Sequence, residues 1–102
     1  MRSVLAMLVV LAPAAALAGD PAEGRRMAEQ WCAQCHRVSP TGPGPATDAV
    51  PAFATIATRP GRTAETIATF LRVPHSGMPD LGLTLRQAQD LAAYVMSQRP
   101  QR

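Results

Sequence analysis

The sequence predicts an all-α fold, on three observations. Apolar residues recur at helical spacing in several short windows, helix-start signals stand directly ahead of them, and clusters of Pro and Gly separate them. Beyond the first twenty residues no stretch alternates like a half-buried strand, and no internal repeat is visible.

The first helix opens at Asp20-Pro21-Ala22-Glu23. Asp20 is the N-cap, Pro21 takes the first helical position, and Glu23 stands where it completes a capping box. The spacing carries this helix to about Cys35, with Gly24, Ala28, Trp31 and Cys35 on one face and Cys32 beside them. From Arg37 to Val50 the chain holds Pro40, Pro43, Pro45, Gly42 and Gly44 without apolar periodicity. This is a long loop, of the kind that in small domains is functional or packed on something.

Pro51 to Thr58 forms a short helix with Phe53, Ile56 and Ala57 at helical spacing, stopped by Pro60-Gly61. Thr63 caps the next, in which Ala64, Ile67, Ala68 and Leu71 share a face, and it ends before Pro74. Val73 to Leu83 is irregular. Thr84 and Gln87 form a capping-box pair that opens a last helix to about Gln98, with Ala88, Leu91, Ala92 and Val95 on one face and Tyr94 adjacent.

The chain has 102 residues, enough for one domain. Residues 1–18 read as a cleavable secretory signal: Arg2, an apolar stretch from Val4 to Ala12, then Ala16-Leu17-Ala18 ahead of Gly19. Pro13 interrupts that apolar segment, which is shorter than the roughly 20 residues of a membrane-spanning helix. Residues 19–102 are then the folded domain. Every basic residue is Arg, and removing Arg2 leaves nine against seven acids, a charge of +2. These Arg are spread from Arg25 to Arg102 and make no basic stripe, which argues against a nucleic-acid binder. Trp31, Phe53, Phe70 and Tyr94 are the only aromatics besides two His, so a domain this small calls for a staple, a metal or a cofactor.

Cys32-Ala33-Gln34-Cys35-His36 supplies the last of these. Cys-x-x-Cys-His is the signal for c-type haem attachment. Two thiols about one helical turn apart each reach a vinyl group of one porphyrin, and the following imidazole faces the iron. A zinc site lacks its second pair of ligands here, and a thioredoxin-type pair lacks its βαβ context. A disulfide between Cys32 and Cys35 closes too short a loop to constrain the unfolded chain much. For the second axial position the chain after residue 18 offers Met27, His75, Met78 and Met96. Met27 shares the helix of the proximal side, and Met96 lies in a regular helix. Met78 stands between Gly77 and Pro79, where the backbone is kept out of a helix, and His75 in the same segment is its rival.

Taken together, Cys32-Ala-Gln-Cys-His36 near the N-terminus, Met78-Pro79 about forty residues on, and Leu91 with Tyr94 in a closing helix resemble a class I c-type cytochrome of the short bacterial monohaem kind. The resemblance covers nearly all of residues 20–98. It implies a small cytochrome c fold, about four short helices and irregular loops wrapped around one covalent haem c. It also implies that Cys32 and Cys35 are the thioether attachments, His36 the proximal ligand and Met78 the distal one. The first and last helices of such proteins cross at a small residue eight positions before the first Cys, here Gly24, against an aromatic, here Tyr94. A backbone carbonyl after the motif fixes the proximal imidazole. Gly42-Pro43 and Gly44-Pro45 are both candidates for it.

There are departures. Ala28 stands where the family has an aromatic, which leaves the helix crossing either less filled or completed by Trp31. No Leu follows either Gly-Pro pair, and with no Lys there is no lysine-ringed docking face.

The function implied is a periplasmic carrier of single electrons between redox partner proteins, and not an enzyme, since the acids are scattered and His36 is committed. The protein is expected as a monomer or in transient complexes with these partners, and no membrane span remains after the signal. One alternative is a permanent subunit of a dehydrogenase or oxidase complex, docking through Arg25, Arg26, Arg37, Arg59 and Arg62. Another is a haem sensor or enzyme with a labile sixth ligand.

Overall fold

A computed structural model describes residues 3–10, 19–73 and 77–100. Four helices follow in order: α1 Pro21–Trp31, α2 Phe53–Thr58, α3 Ala64–Arg72 and α4 Leu85–Ser97. The described residues contain no strand. α4 is the central element, and α1, α2 and α3 all pack on it. Its inner face is the one the spacing predicts: Ala88, Leu91, Ala92, Tyr94 and Val95 are buried. The core around it takes Met27 and Ala28 from α1, Phe53 and Ala57 from α2, and Ile67 and Ala68 from α3.

The helix starts follow their local chemistry. Thr84 and Gln87 make the expected reciprocal capping box on α4. Thr63 makes a second with Thr66, both satisfying amides that have no partner within the helix. At α1 the Asp20 carboxylate caps the amides of Ala22 and Glu23. Glu23 does not complete a box there, contrary to expectation. The Asp20 amide donates instead to Asp90 Oδ1 on α4, 2.8 Å away, and Glu23 turns outward to pair with Arg26.

The first helix is also shorter than its spacing suggests. The Ala28 carbonyl accepts from both Cys32 and Ala33, which ends the regular ladder, and the Cys32 carbonyl then accepts from Cys35 at 3.1 Å and His36 at 2.8 Å. The motif therefore lies on a tight turn after α1. Its buried stripe is Gly24, Met27, Ala28 and Cys32, while Trp31 is 42% exposed and Cys35 is exposed. Trp31 accordingly does not fill the helix crossing.

That crossing is made by close backbone approach. A Cβ on Gly24 would stand 2.0 Å from the Asp90 carbonyl oxygen and 2.8 Å from Tyr94 Cβ, so α1 and α4 meet where only a hydrogen fits. Residues 4, 5 and 7–10 of the apolar N-terminal stretch are at least 74% exposed. Among the described residues no helix is long and apolar enough to cross a membrane.

Candidate haem site

Cys32, Cys35 and His36 are presented by the turn that ends α1. Both cysteines are free thiols, Cys32 buried and Cys35 exposed. Burial, and secondarily the neighbouring Cys35, pushes the Cys32 thiol up to about 11. His36 is half-buried, and its Nδ1 lies 2.6 Å from the Pro51 carbonyl oxygen. A carbonyl only accepts, so Nδ1 carries the proton of the neutral ring and Nε2 carries the lone pair. The Phe53 ring packs against the imidazole at 5.5 Å between centroids, tilted by 51°.

The acceptor is thus Pro51, and neither Gly-Pro pair. Gly44-Pro45 instead braces the motif's backbone. The Pro45 carbonyl accepts from the Arg37 amide at 2.9 Å, and a Cβ on Gly44, whose φ is +123°, would stand 2.9 Å from the His36 carbonyl oxygen. The long loop is therefore folded against the turn that carries the cysteines. The Phe53 amide donates to the Arg37 carbonyl at 3.0 Å, which ties the start of α2 to the same segment and brings Pro51 under the imidazole.

α4 completes the support. Tyr94 Oη donates to the Val38 carbonyl at 2.6 Å in a buried hydrogen bond, and the Tyr94 ring meets Phe53 edge-on at 6.2 Å. Burial holds the phenol above its ordinary range, so it stays a donor through neutral pH. A Tyr94→Phe variant should lose about 1–2 kcal/mol in denaturant unfolding. Stability arising from the raised phenol is complete below its unfolded value near pH 10 and lost as pH rises through the folded one. The variant should accordingly lack that part of the alkaline decline, and an unchanged decline counts against the role given to Tyr94.

The expected distal residue lies in 77–83, an irregular segment with a defined path. Gly77 and Gly82 have φ of +86° and +61°, Asp80 Oδ1 accepts from the Gly82 amide at 2.9 Å, and Leu83 is anchored in the core. Met78 is half-buried and stands outside the core cluster that holds Cys32. His75 lies outside the described residues. Met27 is buried in the α1–α4 core, and Met96 packs against that core from α4.

The donor set fits a haem: two thiols on one turn, and an imidazole whose Nδ1 is engaged so that Nε2 is left to bind iron. Among the described residues no three His, Cys, Asp or Glu side chains gather as metal ligands. Sequence reasoning missed Pro51, Phe53 and Val38 as parts of this support, and Asp90 as the α4 acceptor of the Asp20 amide. A Pro two residues ahead of an aromatic, where the long loop re-enters a helix, was the signal for the first pair. An acid within the apolar stripe of α4, four residues before Tyr94, was the signal for Asp90. The Val38 carbonyl leaves no sequence signal.

Residues 19–95 match the family model described as cytochrome c oxidase, cbb3-type, subunit III. The chain is similar to cytochrome c-552 of Bradyrhizobium diazoefficiens, with 42% identity over 96 residues, spanning 94% of this chain and 91% of that protein. No solved structure matches it significantly.

Proposed function

The chain belongs to this family of cytochrome c domains, and from that premise we propose that it carries single electrons through one haem c held on Cys32 and Cys35. His36 and Met78 are the axial ligands, residues 1–18 are a cleaved export signal, and the periplasm is the place of work. The bound haem supplies the one-electron couple between Fe(III) and Fe(II).

The observation that carries this reading is the Nδ1 contact of His36 with the Pro51 carbonyl. It fixes the tautomer and plane of the ring before any iron is bound, and Phe53 keeps the ring from swinging. A fixed imidazole is what an iron that cycles between two oxidation states with little rearrangement requires of its proximal side. The permanent-subunit reading loses part of its docking face, because Arg25 pairs with Glu29 at 2.9 Å and Arg26 pairs with Glu23.

The intact mass of exported protein tests this. The expected species begins at Gly19 and carries one haem that survives acid extraction. A bare polypeptide, or haem released by acid, overturns the attachment.

A further inference from the structure

Just ahead of α1 the backbone lies directly on α4. A Cβ on Gly19 would stand 2.1 Å from the Gln89 carbonyl oxygen and 3.1 Å from Ala93 Cβ. One residue later the Asp20 amide donates to Asp90 Oδ1 at 2.8 Å. Successive backbone nitrogens are no more than about 3.7 Å apart, so the nitrogen of Gly19 stands within about 6.5 Å of this carboxylate. Asp90 is 6% exposed, and among the described residues it has no ion-pair partner. A buried carboxylate with only neutral donors is poorly compensated.

We propose that the α-ammonium of Gly19, created when the leader is removed, is the counter-ion of Asp90, so that processing completes the α1–α4 junction. This rests on the reading that the leader ends at Ala18. Hydrolysis by an export peptidase breaks the bond between the Ala18 carbonyl carbon and the Gly19 nitrogen and consumes one water. The water oxygen leaves on the leader as a carboxylate, and the amine takes up protons to become an ammonium. In the precursor that nitrogen is an uncharged amide, so the precursor lacks the counter-ion.

The neighbouring charges leave this pairing open. On α1, Arg26 is engaged by Glu23, and the Asp20 carboxylate caps its own helix. Arg86 of α4 lines the same depression as Asp90 without forming an ion pair with it. On α3, Glu65 and Arg72 line the groove that Gly19 borders, and they oppose each other in sign.

A carboxylate at this distance raises an amine above its ordinary value of about 7.7–8.0. The stabilisation is complete below that unfolded value and is lost as pH rises through the folded one. Because the chain contains no Lys, this amine is the single primary amine of the processed holoprotein. Acetic anhydride therefore neutralises it alone among amines.

Acetylation of the holoprotein should lower Tm by about 5 °C at pH 7. It should do nothing at about pH 10, where the amine is already neutral, and nothing in an Asp90→Asn background. The amine should also react about tenfold more slowly at pH 7 than in Asp90→Asn. An unchanged Tm, an equal loss in both backgrounds, or equal reaction rates overturns the pairing. Should Asp90→Asn not fold, the pH profile of acetylation in the wild type decides: a midpoint above 8 supports the pairing, and an ordinary midpoint overturns it. Intact mass separates the two readings, since a start other than Gly19 overturns both, whereas a Gly19 start with an unchanged Tm overturns the pairing alone.

Discussion

A Gly24→Ala chain should lose about 3 kcal/mol of stability, the upper end of what overpacking costs, out of a total of roughly 5–15 for a domain of this kind. The added methyl carbon would stand 2.0 Å from the Asp90 carbonyl oxygen and 2.8 Å from Tyr94 Cβ. The first obstacle is backbone inside a helix, so no rotamer change relieves it and α1 must move away from α4. That movement strains everything built on the crossing. The Asp20–Asp90 hydrogen bond spans it directly, and the Tyr94–Val38 bond, with Phe53 against the Tyr94 ring, lies on the same side of α4.

A matched control is available in Gly61, whose φ is +76° and whose Cβ position has nothing within 4 Å. Gly61→Ala costs only the left-handed backbone penalty of about 1–2 kcal/mol. Denaturant unfolding of the two variants should place Gly24→Ala well below Gly61→Ala. Equal losses, or a mild Gly24→Ala, would mean the helices do not cross where the structure has them.

How far the sequence revealed this arrangement depended on whether the interaction was local. Thr63 and Thr84 announced α3 and α4 because a capping side chain and the amide it satisfies lie within one turn. The same local rule misjudged Glu23, because a residue 70 positions away took the amide it was assigned. Gly24 and Tyr94 were legible through resemblance, since a close helix crossing requires a residue without Cβ. The end of α1 was not, because apolar spacing runs on through Trp31 and Cys35 while the ladder stops at the doubly accepting Ala28 carbonyl. The orienting carbonyl of Pro51 was misplaced onto Gly-Pro pairs for a related reason. Main-chain carbonyls carry no residue identity, and only the folding of the loop onto Arg37 shows which one arrives beneath His36.

Replacing Met78 with Ala should abolish the far-red sulfur-to-iron charge-transfer band of the oxidised protein and lower its reduction potential, because thioether ligation stabilises the reduced iron. Haem content should be unchanged, since Cys32 and Cys35 are untouched. The other methionines after residue 18 are held elsewhere. Met27 is 1% exposed within the α1–α4 core, and Met96 is fixed against that core by α4. The path of 77–83 suits a ligand loop: the left-handed Gly77 and Gly82, the Asp80 turn and the buried Leu83 hold the segment outside regular helix while pinning its far end. Pro79 keeps the backbone after Met78 from continuing as helix. His75 is distinguished by the reciprocal experiment, in which His75→Ala should keep the band. A band that survives Met78→Ala, or that disappears in His75→Ala, gives the distal position to another residue and leaves only the proximal half of the proposed ligand set standing.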